Sequence, residues 1–213
     1  MVLGDYISRL RGKQGYNFPI ATFSATVTYG GNDDMHGDII DSLNMKTGQF
    51  EYIAPMRRDD IHFDISVKTD YADYLKEKED TVIDSLTTLI KQGTKTIVYF
   101  PYTAHVEKFY KALSNIGNVV KYHGKMLKFE KDDSIIQFKN NQSKMVLATK
   151  AFGMGIDIND VEIVYHYAPT GNLCDYVQEI GRAARSDDIQ GIAKTDFFQM
   201  IIDISNNCLG CLL

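Results

Sequence analysis

Three features of the sequence predict an α/β fold with a parallel central sheet flanked by helices. Short β-branched and aromatic runs alternate with longer segments of helical period, and the connections between them are short. The strongest runs, KTIVYF at 95–100 and KMVLAT at 144–149, are apolar without a polar alternation. An uninterrupted apolar run marks a strand covered on both faces, as in parallel sheets packed between helices.

Taken in order, Pro19–Thr26 (PIATFSAT) reads as a short strand ending in small hydroxyl residues. Asp33–Leu43 reads as a helix with Asp33 or Asp34 as its cap. Residues 49–54 and 61–68 are expected as strands, because IHFDISVK alternates apolar and polar. The charged, proline-bearing stretch Ala54–Asp60 has no period and is expected to link two domains. The boundaries follow: 1–55, a linker at 56–60, a domain at 61–199, and a tail at 200–213.

Beyond the linker the pattern is regular. A helix near 72–91 puts Val82, Ile83, Leu86, Leu89 and Ile90 on one face, and one at 103–116 does so with Val106, Phe109, Tyr110 and Leu113. Strands are predicted at 95–100, 118–122, 144–149, 161–167 and near 191–198, with helices at 128–140 and 172–185. In such a fold the functional loops follow the carboxyl ends of the strands. That singles out 101–103, 123–125, 149–157 and the turn near Pro169.

The composition is that of an ordinary globular chain, 44% hydrophobic and 24% charged. No run of 18 apolar residues is present to span a membrane, and the first residues lack the apolar core of a signal peptide. Three cysteines are too few for a disulfide framework, which favours a reducing compartment, cytoplasmic or nuclear. The net charge of −5 argues against a protein that coats nucleic acid by bulk electrostatics. Residues 105–150 nevertheless hold nine lysines against four acids, a local excess that suits a phosphate backbone or a solvated helix face.

Two segments carry chemistry. If NLCDYVQEIGRAAR (172–185) is helical throughout, Gln178, Arg182 and Arg185 share a stripe about 60° wide. Leu173, Val177, Ile180 and Ala184 then form a buried face roughly 130° away. Paired arginines suit a polyphosphate, because the planar guanidinium binds oxygens in pairs and keeps its charge. The plainer reading is a surface pair held by acids such as Glu179. Gly181 inside the helix costs about 1 kcal/mol unless a close approach requires it. The second segment, Thr149–Asp157 (TKAFGMGID), follows a buried strand. Gly153 and Gly155 allow a sharp turn that presents amides to an anion, and Asp157 can accept from a hydroxyl or fix an arginine.

In this order and spacing, FSAT (23–26), TIVYF (96–100), YHG (122–124), VLATKAFGMGID (146–157) and VYHYAP…DYVQEIGRAAR (164–185) resemble the core of RecQ-like superfamily-two helicases. The resemblance implies the C-terminal part of a first RecA-like lobe followed by a complete second one. It implies that Arg182 and Arg185 reach the γ-phosphate of ATP, that Gln178 helps fix them, and that Gly153, Gly155 and Asp157 bind the nucleotide. Tyr102, Thr103, His123, Gly124, Lys125, Thr149 and Lys150 would touch the DNA strand. Ser24 and Thr26 would couple nucleotide state to lobe closure. ATP with Mg²⁺ and DNA are the implied ligands, with 3′–5′ unwinding as the activity. An RNA helicase, a duplex translocase or a non-catalytic binding scaffold are the alternatives.

The chain also departs from that pattern. It contains no GxxxxGK[ST] phosphate loop and no Asp-Glu dipeptide, so ATP and Mg²⁺ would be held mainly by residues outside this sequence. Ala184 stands where the family has glycine. Cys208-Leu209-Gly210-Cys211 supplies two candidate zinc ligands, and two ligands do not make a zinc site. His123 and His166 are read as a loop contact and a satisfied strand-end histidine, and no metal site is expected.

Overall fold

The computed structural model describes residues 3–14, 18–23, 27, 34–45, 58–68, 74–153, 156–186 and 189–198. The chain divides into two compact units, Met1–Arg57 and Arg58–Leu213.

In the first unit, helix α1 spans Leu3–Gln14 and helix α2 spans Met35–Ser42. Asp34 caps α2 by accepting from the Gly37 amide at 3.0 Å. The two helices meet backbone to backbone at Gly4, where a Cβ would overlap the Ser42 carbonyl. No periodicity in the sequence predicts α1. The sequence predicts a strand at Pro19–Thr26, but residues 18–23 form no regular structure and Phe23 is 94% exposed. A strand depends on a neighbour to complete its hydrogen bonds, and 18–23 has none among the described residues. The strand expected at 49–54 lies outside the described residues, as do Ser24 and Thr26.

The second unit is built on six parallel strands in the order β1-β6-β5-β2-β4-β3. They are β1 (Ile61–Lys68), β2 (Thr96–Tyr99), β3 (Val119–Tyr122), β4 (Met145–Ala148), β5 (Ile163–His166) and β6 (Gly191–Phe198). Helices α3 (Tyr74–Gln92), α4 (Thr103–Leu113), α5 (Lys128–Lys139) and α6 (Leu173–Ile180) cross between them. The inner runs β2, β4 and β5 are buried throughout, as their unbroken apolar composition requires, and so is the start of the edge strand β3.

Side chains alternate across the sheet. Ile97, Tyr99, Val146, Ala148 and Val164 pack with Phe138 of α5 and Ile180 of α6. Val98, Leu147, Met145, Ile163 and Tyr165 pack with Val82, Leu86 and Leu89 of α3 and Val106, Phe109 and Leu113 of α4. The sheet therefore has a core on each face. The register sets Tyr99 beside Ala148 and His166, and Tyr122 beside Ala148. The loops after these strands leave from one edge.

A polar cluster sits on the α3–α4 face near β1 and β6. Asp196, 5% exposed, accepts from Ser66 and from the Tyr165 hydroxyl. Lys78 of α3 is 4% exposed, with its ammonium 4.1 Å from the centre of the Tyr167 ring. Burial lowers the Lys78 pKa to about 8, against the opposing pull of Asp196. A lysine whose pKa is depressed on folding binds its proton less tightly than in the unfolded chain. Stability should therefore rise as pH climbs from about 8 towards the unfolded value, by on the order of 2–3 kcal/mol. Urea unfolding of wild type and Lys78→Met across pH 7–10.5 measures this, and parallel pH profiles would refute it.

Candidate functional site

The carboxyl edge of the sheet gathers the singled-out loops. After β2, Tyr102 is 67% exposed, precedes the first turn of α4, and has its ring 5.6 Å from that of His105. Thr103 begins the helix.

After β3, His123 departs from expectation. Its ring is buried, with Nε2 2.8 Å from Oε1 of Glu107, which also accepts from Lys121 at 2.8 Å. These partners hold the Glu107 carboxyl below its usual range, Lys121 first and His123 second, against the upward pull of burial. The His123 side chain therefore ties the loop to α4 and offers no surface to a strand. Gly124 and Lys125 remain exposed beside it.

The lysine-rich stretch is similarly divided. Lys108 pairs with Glu79, Lys121 with Glu107, Lys131 donates to the Gly124 carbonyl and Lys144 to Asn141. Lys125 and Lys150 are the exposed lysines of the 123–125 and 149–157 loops.

After β4, the half-buried Thr149 donates its amide to Tyr122 and its carbonyl accepts from Phe152. Residues Lys150–Gly153 form a single 3₁₀ turn. Fully buried Phe152 pins that turn, edge-on to Tyr122 and Phe138. Met154 and Gly155 lie outside the described residues. Asp157 follows, with its side chain 77% exposed.

Helix α6 is capped by Asn172, whose side chain accepts from the Asp175 amide at 2.7 Å. It ends at Ile180, five residues before the expected end. Gln178 stays on the helix, whereas Arg182 and Arg185 lie beyond it. The single helical stripe drawn through the three residues is therefore wrong. Gly181 caps the helix, and a Cβ there would sit 3.0 Å from the Val177 carbonyl, the close approach that glycine permits.

The amides of Arg182 and Ala183 bond back to Glu179 and Ile180, and that of Ala184 bonds to Val161 at 3.1 Å. Ala183 and Ala184 are thereby buried against Gly191, whose Cβ, if present, would lie 2.8 Å from that of Ala183. Arg-Ala-Ala-Arg would continue a helix by propensity alone, and tertiary burial overrides it. Ala184 pays in backbone conformation, with φ of +52°. That left-handed geometry, which L-residues avoid, explains a glycine preference at this position better than packing does.

The two arginines have different surroundings. Arg182 donates to the carbonyls of Gly153 and, at 3.2 Å, Ile156, bracing the loop after β4. Its guanidinium adjoins the buried Tyr99 hydroxyl without forming a hydrogen bond, and burial pushes that tyrosine pKa upward. Arg185 pairs with Asp157 at 3.0 Å and donates to the Gly181 carbonyl at 3.3 Å. Glu179 is no partner for either. It points inward to His166, Oε2 to Nε2 2.8 Å, and His166 stacks on Tyr99 at 5.6 Å. The His166 Nδ1 is buried and unpartnered.

Two contributors lay beyond the sequence reading. Glu179 reads in sequence only as an acid that could hold the arginines, and nothing in its spacing points to His166. Arg58 offers no signal, being one charge in an aperiodic stretch. It makes a fork to Asp60 and bonds the carbonyls of Ala183 and Ala184 at 3.0 and 3.2 Å. Among the described residues no cluster of three metal-ligating side chains occurs, and no helix is long and apolar enough to cross a membrane. Cys174 is half-buried, and Cys208 and Cys211 lie outside the described residues.

A six-stranded parallel sheet covered by helices on both faces, with its singular loops on one edge, is the RecA-like architecture of helicase C-terminal lobes. Dbp5 of S. cerevisiae bound to RNA and ADP BeF3 shares it, with a TM-score of 0.67 and 22% identity over 87% of this chain and 46% of that one. The E. coli DEAD-box protein SrmB bound to RraA has a TM-score of 0.61 and 22% identity over 73% and 88%.

The chain belongs to the helicase conserved C-terminal domain family, whose model matches residues 77–187, just over half of the sequence. The Haemophilus influenzae ATP-dependent DNA helicase RecQ is 30% identical over 172 residues, 79% of this chain and 25% of that protein. The mouse bifunctional 3′-5′ exonuclease/ATP-dependent helicase WRN is 29% identical over 168 residues, 78% of this chain and 12% of that protein. The ATP-dependent RNA helicase DBP2 of Encephalitozoon cuniculi is 31% identical over 123 residues, 57% and 24% respectively. The chain thus spans a quarter or less of the length of these relatives.

The strain at Ala184 is measurable. Ala184→Gly should leave stability within ~1 kcal/mol of wild type, because relief of a left-handed alanine (~1–2 kcal/mol) offsets glycine entropy and a lost methyl. Ala184→Val should cost more than ~2 kcal/mol, adding a β-branch to both the strain and the Gly191 contact. Equal losses in urea unfolding would mean that the turn is unstrained.

Proposed function

We propose that this chain is the nucleotide-sensing and strand-gripping part of an ATP-dependent DNA helicase of RecQ type. Arg185 carries the reading. Its guanidinium sits on a rigid turn at the carboxyl edge of the sheet, held by an exposed carboxylate from which an anionic ligand could take it. In this reading Arg185 contacts the γ-phosphate, Asp157 holds it until nucleotide arrives, and Arg182 keeps the 153–157 loop in place. Gly153 and Gly155 are assigned to nucleotide binding, and Gln178 helps fix the arginines.

Phosphate loop and Mg²⁺ carboxylates come from residues outside these 213, so the chain alone should turn over no ATP. Residues 1–55 are read as the end of the first lobe, with Ser24 and Thr26 coupling the lobes. Tyr102, Thr103, Gly124, Lys125, Thr149 and Lys150 meet the nucleic-acid backbone. DNA is favoured by AFGMGID, HY-x-P and QEIGRAxR together, and RNA is the second reading because RNA helicases match at similar identity, one of them over as long a span.

In the intact protein, Arg185→Ala should lower ATP hydrolysis at least ~10²-fold while single-strand binding is retained. Collapse of strand binding with unchanged hydrolysis would overturn the assignment. Binding to single-stranded DNA and RNA, followed against salt, decides the substrate, with a log–log slope of about −0.7 per phosphate contact.

A further inference from the structure

We infer that Arg58 is the positioning residue for Arg185, setting the direction in which that side chain leaves the lobe. The functional half of this inference rests on the proposal that Arg185 acts on nucleotide, whereas the geometric half stands without it.

One nitrogen of Arg58, Nη2, lies 3.0 Å from the Ala183 carbonyl and 3.2 Å from the Ala184 carbonyl. Those carbonyls belong to the two peptide planes that flank Ala184. Rotation of these planes defines its φ and ψ, and φ is held at +52°. The first plane has a second anchor, the Ala184 amide bonded to Val161 at 3.1 Å. The second plane, from which Arg185 hangs, is held through its carbonyl by Arg58.

Arg58 is itself fixed. Its Nε lies 2.8 Å from Oδ1 of Asp60, and Nη2 lies 2.7 Å from Oδ2. The hydrogen bond donated to Asp60 raises the guanidinium pKa further, and Asp60 is correspondingly held low. Asp60 is anchored in turn, because its carbonyl accepts from the Gly191 amide at 2.9 Å where β6 begins. A planar fork suits this work, since it binds a carboxylate along one side while directing another hydrogen at carbonyls. A cation also belongs beside the open carbonyls that follow a helix end.

Arg182 takes no part in this arrangement. It reaches the Gly153 and Ile156 carbonyls of the loop after β4. The inference therefore predicts a selective effect: removing the Arg58 guanidinium should misdirect Arg185 and leave Arg182 in place. Because the second unit begins at Arg58, the chain enters it at the arginine turn.

The test uses nitrogen-15 NMR of the 213-residue chain. In Arg58→Met, the Ala184 amide and the Arg185 Nε–H should exchange with solvent at least ten-fold faster. The Arg182 side-chain signals and the amides of Val98 and Leu147 should not change. Unaltered Arg185 and Ala184 signals would overturn the inference, as would an equal loosening of Arg182 and Arg185. If Arg58→Met does not fold, Asp60→Asn keeps the guanidinium but loosens it, and the same ordering of effects is expected.

In the intact protein, Arg58→Met should lower kcat for ATP at least ten-fold with little change in KM. If Arg185→Ala lowers kcat and Arg58→Met does not, Arg58 has no positioning role in catalysis. If Arg185→Ala is itself silent, the proposed function fails while the NMR result stands.

Discussion

Gly191 meets Ala183 and Ala184 so closely that no side chain fits between them, and the arginine turn depends on that contact. It ends α6 at Ile180 and swings Ala184 into a left-handed conformation. It also brings the start of β6 against the Asp60 carbonyl. Everything distinctive about the site then follows from where the backbone goes after the helix stops. Arg182 turns inward to the loop after β4, and Arg185 turns outward to Asp157.

The division of labour between the two arginines has an electrostatic logic. A guanidinium surrounded by backbone carbonyls, as at Arg182, is held by dipoles of its own lobe. A guanidinium paired with an exposed carboxylate is held by a contact that water and salt weaken. In the proposed reading, the residue with the weaker hold is the one that a polyphosphate recruits. The buried His166–Glu179 contact beneath them supplies rigidity, because it joins the end of β5 to the last turn of α6.

How much of this was legible in the sequence depended on what kind of force fixed each element. The central strands were legible because burial on both faces demands unbroken apolar runs, and Thr96–Tyr99 and Met145–Ala148 supply them. The helices α3 and α4 were legible from their spacing. The end of α6 was not, because Arg-Ala-Ala-Arg favours the helix that tertiary contact interrupts. Pro19–Thr26 resembled a strand by composition, yet composition cannot supply a hydrogen-bonded neighbour. His123 stood among the residues implied to touch the strand because sequence gives the position of a ring and not its direction, which here is inward to Glu107. Arg58 stood among charges without period, and its partners lie about 125 positions away.

The placement of Arg58 bears on how this lobe can be handled as an isolated piece. By sequence alone a gene fragment would naturally open at the first residue of β1, Ile61. Such a trimmed protein would retain all six strands and all four crossover helices, and spectroscopically it would look intact. It would nevertheless have discarded the fork inferred to orient Arg185. An expression boundary three residues earlier separates a faithful miniature from a well-folded but mis-set one.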